Sequence, residues 1–157
     1  MAAILPPWSV TWTGAAFAAM LIWVSVRDVI LFEVPDVAAA LLVVLGLAVA
    51  GNLVQSLLGV LLWAAVFWLV SWGARKLLRR DALGLGDVKL MAGLGAWLGP
   101  VAPIYVTLFA AISGIVTLFA FAVLRGDKIE ELSGTGIAFG PFLCLFAWVS
   151  WEIGVRV

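Results

Sequence analysis

Three aspartates stand where charge is costly. Asp28 follows a long apolar run, Asp36 comes directly after Val34-Pro35, and Asp87 lies in the stretch Gly84-Leu85-Gly86-Asp87-Val88-Lys89-Leu90. Ionisable groups at or inside a hydrocarbon boundary are rare and by default mark a functional site. Two such carboxylates brought to one place can do paired acid/base work. In a poorly hydrated site both cannot ionise cheaply, so their titrations split and one keeps its proton near neutral pH. The ionised member takes a proton from water while the protonated member donates to a carbonyl oxygen, a positioned transfer worth on the order of 10²–10⁴-fold in rate.

The rest of the composition leaves few other routes. The chain has no histidine, which excludes Ser-His and Cys-His nucleophilic sites and histidine-ligated metals. Its one cysteine, Cys144, excludes an internal disulfide and a cysteine-based zinc cluster. Flavin, haem and nucleotide motifs are absent from the sequence, and neither cofactor nor metal is expected. Nine Lys plus Arg balance nine Asp plus Glu, so nothing resembles a nucleic-acid-binding surface.

The residues around the aspartates have readings of their own. Asp87 is expected at a helix N-terminus, where the macrodipole favours the anion, with Lys89 nearby; Asp28 is expected at a helix C-terminus, which disfavours it. This makes Asp87 the ionised member and Asp28 the proton carrier. Gly84 and Gly86 permit close approach of another chain segment. Pro35 suits a helix start, and Asp36 is read as the cap of that helix in preference to direct catalysis. In Phe139-Gly140-Pro141 the proline bends or starts a helix and so shapes the cavity. Gly95 and Gly99 have the spacing of a helix-packing motif.

These residues need elements to hold them. At 66% hydrophobic, 11% charged and mean hydropathy +1.23, the chain carries more apolar surface than a water-soluble core of 157 residues can bury. An all-α, polytopic membrane protein is expected. Its six candidate helices run over Trp8–Val26, Val37–Ala50, Leu53–Trp72, Val88–Leu98, Pro103–Leu124 and Ile137–Gly154. Gly51-Asn52 reads as the turn between the second and third. With the N-terminus outside, Arg27, Arg75, Lys76, Arg79, Arg80, Lys89, Arg125 and Lys128 all fall on the cytoplasmic side and only Arg156 lies outside, as the positive-inside rule prefers. Parity then puts Asp28 and Asp87 at the same, cytoplasmic end. The first segment lacks a basic leading region and reads as a retained helix. Trp8, Trp12, Trp72, Trp148 and Trp151 are expected at the membrane interface. Asp81, Asp127, Glu130, Glu131 and Glu152 read as solvated charges, and the whole chain as one domain.

Three separated pieces, in order, resemble the type IV prepilin peptidases, aspartyl proteases of the GxGD type. An Asp is followed eight positions later by an acidic residue after proline (Asp28 through Pro35-Asp36). The signature Gly-x-Gly-Asp-x-Lys-Leu spans Gly84 to Leu90, and a late Phe-Gly-Pro-Phe-Leu spans Phe139 to Leu143. The resemblance covers about residues 20–150. It implies that Asp28 and Asp87 are the catalytic pair of a site facing the cytoplasm of a prokaryotic inner membrane. The implied substrates are prepilins and pseudopilins, cut after a short basic leader, typically after Gly, just before their hydrophobic helix. The acidic loop Asp127–Glu131 could attract such a leader. Larger family members carry an N-terminal region with paired cysteines associated with N-methylation; with Cys144 alone, this chain is expected to be a peptidase without methyl transfer. The run Val29-Ile30-Leu31-Phe32-Glu33 is more apolar than the family's, which bears on substrate range. A small proton-coupled transporter and an inactive, peptidase-like assembly subunit are the alternative readings. No oligomeric state is legible.

Overall fold

A computed structural model describes residues 12–78, 84–125 and 138–154. Among these residues the chain is all-α. The helices are α1 (Trp12–Leu31), α2 (Asp36–Ala48), α3 (Leu53–Leu78), α4 (Leu85–Leu98), α5 (Ala102–Arg125) and α6 (Gly140–Glu152). Expectations placed on Trp8, Arg79, Arg80, Asp81, Asp127, Lys128, Glu130, Glu131 and Arg156 fall outside the described residues.

Among the described residues, three helices are long and apolar enough to cross a membrane: Trp12–Leu31, Leu53–Leu77 and Ala102–Leu124. α2, α4 and α6 have 13, 14 and 13 residues. At the helical rise these reach only about 20 Å, against a hydrocarbon core of about 30 Å. Their length alone does not establish a crossing. α3 and α5 keep apolar residues on their outer faces, with Leu61, Leu69, Ile115, Val116 and Val123 all exposed. A helix apolar on every side belongs in a non-aqueous surrounding.

α4 is the axis of the fold. Nearly every residue from Leu90 to Leu98 is buried, and the helix packs against α3 and α2. α1 packs against α6, and α6 against α5; contacts of α4 with α6 and of α1 with α2 join the two groups. α2 and α4 run parallel, with Asp36 beside Lys89, Leu42 beside Gly93, and Gly46 beside Ala96 and Trp97. Between α3 and α4 the backbones themselves touch. A Cβ on Gly59 would overlap the Gly95 carbonyl oxygen and lie 2.8 Å from the Gly99 carbonyl carbon. The Gly95/Gly99 spacing is therefore a packing device, as small residues are wherever helices approach closely. Gly99 also closes α4 at φ 74°, a conformation that needs glycine.

Helix ends differ from expectation in places that matter for the site. α1 continues past Val26 because Val29-Ile30-Leu31 offers nothing to stop it; Asp28 lies one turn inside the helix and not at its end. The stop is Phe32 at φ 52°, whose N–H bonds the Asp28 carbonyl at 2.9 Å. α3 runs beyond Trp72 through Arg75 and Lys76, the Lys76 ammonium sitting 4.9 Å from the Trp72 ring centroid. Asn52 starts α3, its Oδ1 accepting the N–H of Val54 at 3.1 Å and of Gln55 at 3.3 Å. Pro141 starts α6 in its first turn, where no backbone donor is needed, and does not bend it.

Two of the expected roles are corrected. Asp36 does not cap α2: the cap position is Pro35, no side chain closes it, and the Asp36 carboxylate pairs with Lys89 Nζ of α4. Both side chains are well exposed, so the pair links two helix starts with little energy, about 0–1 kcal/mol. Trp151 does not present its ring outward as an interfacial anchor would. It is buried in an aromatic cluster, its ring 5.3 Å from both Phe17 and Trp97, while Phe17 stacks on Trp97 at 4.6 Å. The Trp97 indole N–H reaches the Leu42 carbonyl at 2.8 Å, which removes the cost of burying it.

Candidate active site

The C-terminal turn of α1 and the starts of α2, α4 and α6 gather at one end of the bundle, and the singled-out residues gather with them. Asp28 is buried, at 7% exposure, in a helix whose only other charged residue is Arg27. Its Oδ2 accepts the backbone N–H of Gly140 at 2.9 Å. The first N–H groups of a helix have no partner within it, so the start of α6 has a donor to give. Phe139 supports that geometry, its carbonyl accepting the N–H groups of Phe142 and Leu143. A Cβ on Gly140 would sit 2.6 Å from Asp28 Oδ2 and 3.0 Å from its Cγ. Only glycine lets the carboxylate reach this amide.

Asp87 is the third residue of α4, half-buried, its N–H bonded to the Gly84 carbonyl at 3.2 Å. It lies within electrostatic reach of Asp28. Asp87 stands at the N-terminus of α4 and Asp28 in the last turn of α1, as expected, but the Asp28 carboxylate also meets the first amide of α6. The α6 amide favours an anion at Asp28 as the start of α4 does at Asp87, so the two helix-end effects act on both carboxylates.

The two glycines before Asp87 differ. A Cβ on Gly86 would meet Val34 at 3.2–3.3 Å, so Gly86 lets the start of α4 lie against the segment between α1 and α2. Gly84 has nothing but the Gly86 nitrogen, at 3.8 Å, in its Cβ direction, and its φ of −67° is open to any residue. Among the described residues, neither packing nor backbone conformation requires glycine there. Lys89 and Asp36 close one flank of this end by their ion pair, and Pro35 sets the start of α2.

Some neighbours carry no signal of their own in the sequence. Val34, buried, is the surface Gly86 rests on. Ser25, three residues before Asp28 on the same face of α1, hydrogen-bonds Cys144, one turn into α6 from Gly140. The three- and four-residue spacings to Asp28 and Gly140 are the only pointers to this pair that the sequence holds. Among the described residues, no three His, Cys, Asp or Glu side chains come together in a group that could hold a metal ion.

Fold and site together define an all-α protein of apolar exterior with two converging carboxylates at one end. Comparison with known proteins places it further. The model of the type IV leader peptidase family matches residues 15–119, and the chain belongs to that family. It is 31% identical over 144 residues to the prepilin leader peptidase/N-methyltransferase of Pectobacterium carotovorum subsp. carotovorum, covering 88% of this chain and 50% of that protein. Against the protein of the same description from Escherichia coli strain K12 the identity is 30% over 166 residues, covering 96% and 72%. With that of Dickeya chrysanthemi it is 39% over 92 residues, covering 58% and 31%. The chain spans about half the length of the first of these relatives. No solved structure matches.

Proposed function

We propose that this chain is a membrane aspartyl endopeptidase that removes the short leader from prepilin or pseudopilin-like proteins, working at the cytoplasmic face of a prokaryotic inner membrane. Asp28 and Asp87 form the reactive pair, and water is the nucleophile. The observation that carries the reading is the meeting of α1, α4 and α6 ends, which sets a buried Asp28 within electrostatic reach of Asp87. Family membership supports the same conclusion.

The chemistry follows from the pair. One carboxylate takes a proton from water as the oxygen attacks the scissile carbonyl; the other, protonated, donates to the carbonyl oxygen. Collapse of the tetrahedral intermediate returns a proton to the departing amine, and the peptide bond is cut with one water consumed. The Gly140 amide holds Asp28 in position through these steps. An extended substrate backbone lies against Gly84 at the start of α4, and an N-terminus outside the membrane would put the pair at its inner surface.

The test is co-expression with a panel of prepilins, read by mass spectrometry of the leader, beside Asp28→Asn and Asp87→Asn. Trimming by the native chain should fall by at least about 10²-fold in each variant. Trimming that survives either substitution breaks the pair. No trimming of any well-expressed prepilin, together with proton-dependent solute flux, would replace the peptidase with a carrier.

A further inference from the structure

Asp28 and Asp87 belong to different halves of the bundle. α1 packs with α6 and α6 with α5, while α4 packs with α3 and α2, so the seam between the two groups passes between the carboxylates. Far from them the seam is pinned by side chains. Phe17 of α1 and Trp151 of α6 meet Trp97 of α4, about 15 Å along that helix from Asp87. At the carboxylate end the chain itself crosses the seam, in the connection from α1 to α2, and three residues of that connection are tied to one aspartate or to its neighbours. The Phe32 N–H bonds the Asp28 carbonyl at 2.9 Å. Val34 is buried against Gly86, immediately before Asp87, where a Cβ would meet it at 3.2–3.3 Å. Asp36 pairs with Lys89, two residues after Asp87. Between these ties the backbone has little freedom. Phe32 stands at φ 52°, which an L side chain rarely adopts and which persists only where its flanks are held. Pro35 is locked by its ring at φ −61°.

We propose that residues 32–36 are the spacer that sets the separation of the two carboxylates, with Val34 and Asp36 as positioning residues for Asp87; the inference rests on the peptidase reading. One end of the segment starts from the Asp28 carbonyl, and the other grips α4 on both sides of Asp87. Its length therefore fixes how far one member of the pair stands from the other. This gives a task to an acidic residue that follows proline at the start of α2 and yet does not cap that helix. The two ties on α4 differ in strength. Val34 contributes buried apolar contact, whereas the Asp36–Lys89 pair is exposed and weak, enough to bias the start of α4 between positions but not to hold the fold. An ordinary surface loop would be indifferent to its own length, because lengthening a loop costs little.

The experiment inserts one glycine between Phe32 and Glu33, both exposed, which adds at most about 3.5 Å of reach. Leader removal from a full-length prepilin is followed beside thermal unfolding, and beside the same insertion between Ala50 and Gly51, in the turn at the other end of α2 where Gly51 has open space around it. Insertion after Phe32 should lower kcat by about 10²-fold with KM within about twofold, because a misplacement of about 1 Å already costs that much. It should unfold within a few degrees of native, and the Ala50 insertion should cleave like native. Native kcat after the Phe32 insertion overturns the spacer and leaves the peptidase reading standing; so does an equal loss in both insertions, or a loss carried by KM. A native chain that cuts no prepilin fells the peptidase reading, and the spacer with it. A second set of variants keeps the chain length and decides the outcome if the insertion costs the fold. Asp36→Ala should lower kcat by about fivefold, the shift that loss of a strong exposed pair produces, and Lys89→Gln by the same factor. The two together should cost no more than either alone, and Asp36→Glu, which still reaches Lys89, should stay within about twofold of native. Factors that multiply in the double variant, or an Asp36→Glu as slow as Asp36→Ala, overturn the proposal.

Discussion

Gly140 offers the sharpest test of how the site is held. Replacing it with alanine adds one methyl group 2.6 Å from Asp28 Oδ2, where ordinary contact begins at 3.4 Å. Either the carboxylate or the start of α6 must move by about 0.8 Å, and the 2.9 Å hydrogen bond lengthens or breaks. A hydrogen bond to a charged group contributes about 1.5–3 kcal/mol, and misplacing a reacting group by about 1 Å costs on the order of 10²-fold in rate. Gly140→Ala should therefore lower kcat for prepilin cleavage by about 10²-fold, with KM changed far less. Two companions separate causes. Asp28→Asn keeps an oxygen that can accept the Gly140 N–H, so it should fold and resist heat like the native chain while losing activity. Gly73→Ala adds the same methyl group where nothing lies within 4 Å, and should cleave normally. The assay is initial-rate leader removal in detergent, alongside thermal unfolding of each variant. Cleavage by Gly140→Ala within about twofold of native would refute the argument that this amide positions Asp28.

The two glycines before Asp87 should behave differently. Gly84→Ala leaves thermal stability unchanged and raises KM for prepilin, because among the described residues only the Gly86 nitrogen, at 3.8 Å, lies in its Cβ direction; a stability loss with normal KM would count against substrate approach on that side. Gly86→Val drives a branched side chain into Val34 and should cost about 1–3 kcal/mol of stability, seen as a lower unfolding temperature. Gly95→Ala forces apart the touching backbones of α3 and α4 and should destabilise by a similar amount, about 1–3 kcal/mol, with activity falling only as far as folding does. An unfolding temperature equal to native in Gly95→Ala would mean that the two helices are not held at contact distance.

Much of the helical framework is legible in the amino-acid sequence. Long apolar runs without histidine and with few charges leave little choice but apolar helices, because backbone groups away from water must be satisfied within their own segment. The GxGD stretch and Phe139-Gly140-Pro141 stand out because glycine and proline have backbone consequences that sequence shows directly. Gly95 and Gly99 can be assigned to packing from their spacing alone. Helix ends are less legible: α1 runs on to Leu31 because apolar residues continue it, and its stop, Phe32 at positive φ, uses a residue type that gives no local sign of stopping.

Partnership at long range lies beyond that reach. Asp36 is an apt cap by type and place, yet its carboxylate goes to Lys89, 53 residues away, because parallel packing of α2 and α4 brings their starts together. Trp151 has the position of an interfacial tryptophan, yet it fills the gap between Phe17 and Trp97. Asp28 belongs by chain position to the last turn of α1, but its carboxylate is held by the first amide of α6, 112 residues on. Composition and spacing act through a few neighbouring residues, so they settle helix type, apolar exterior and which carboxylates are unusual. Which amide each carboxylate meets depends on how separate helices pack, and no local pattern in the chain encodes that.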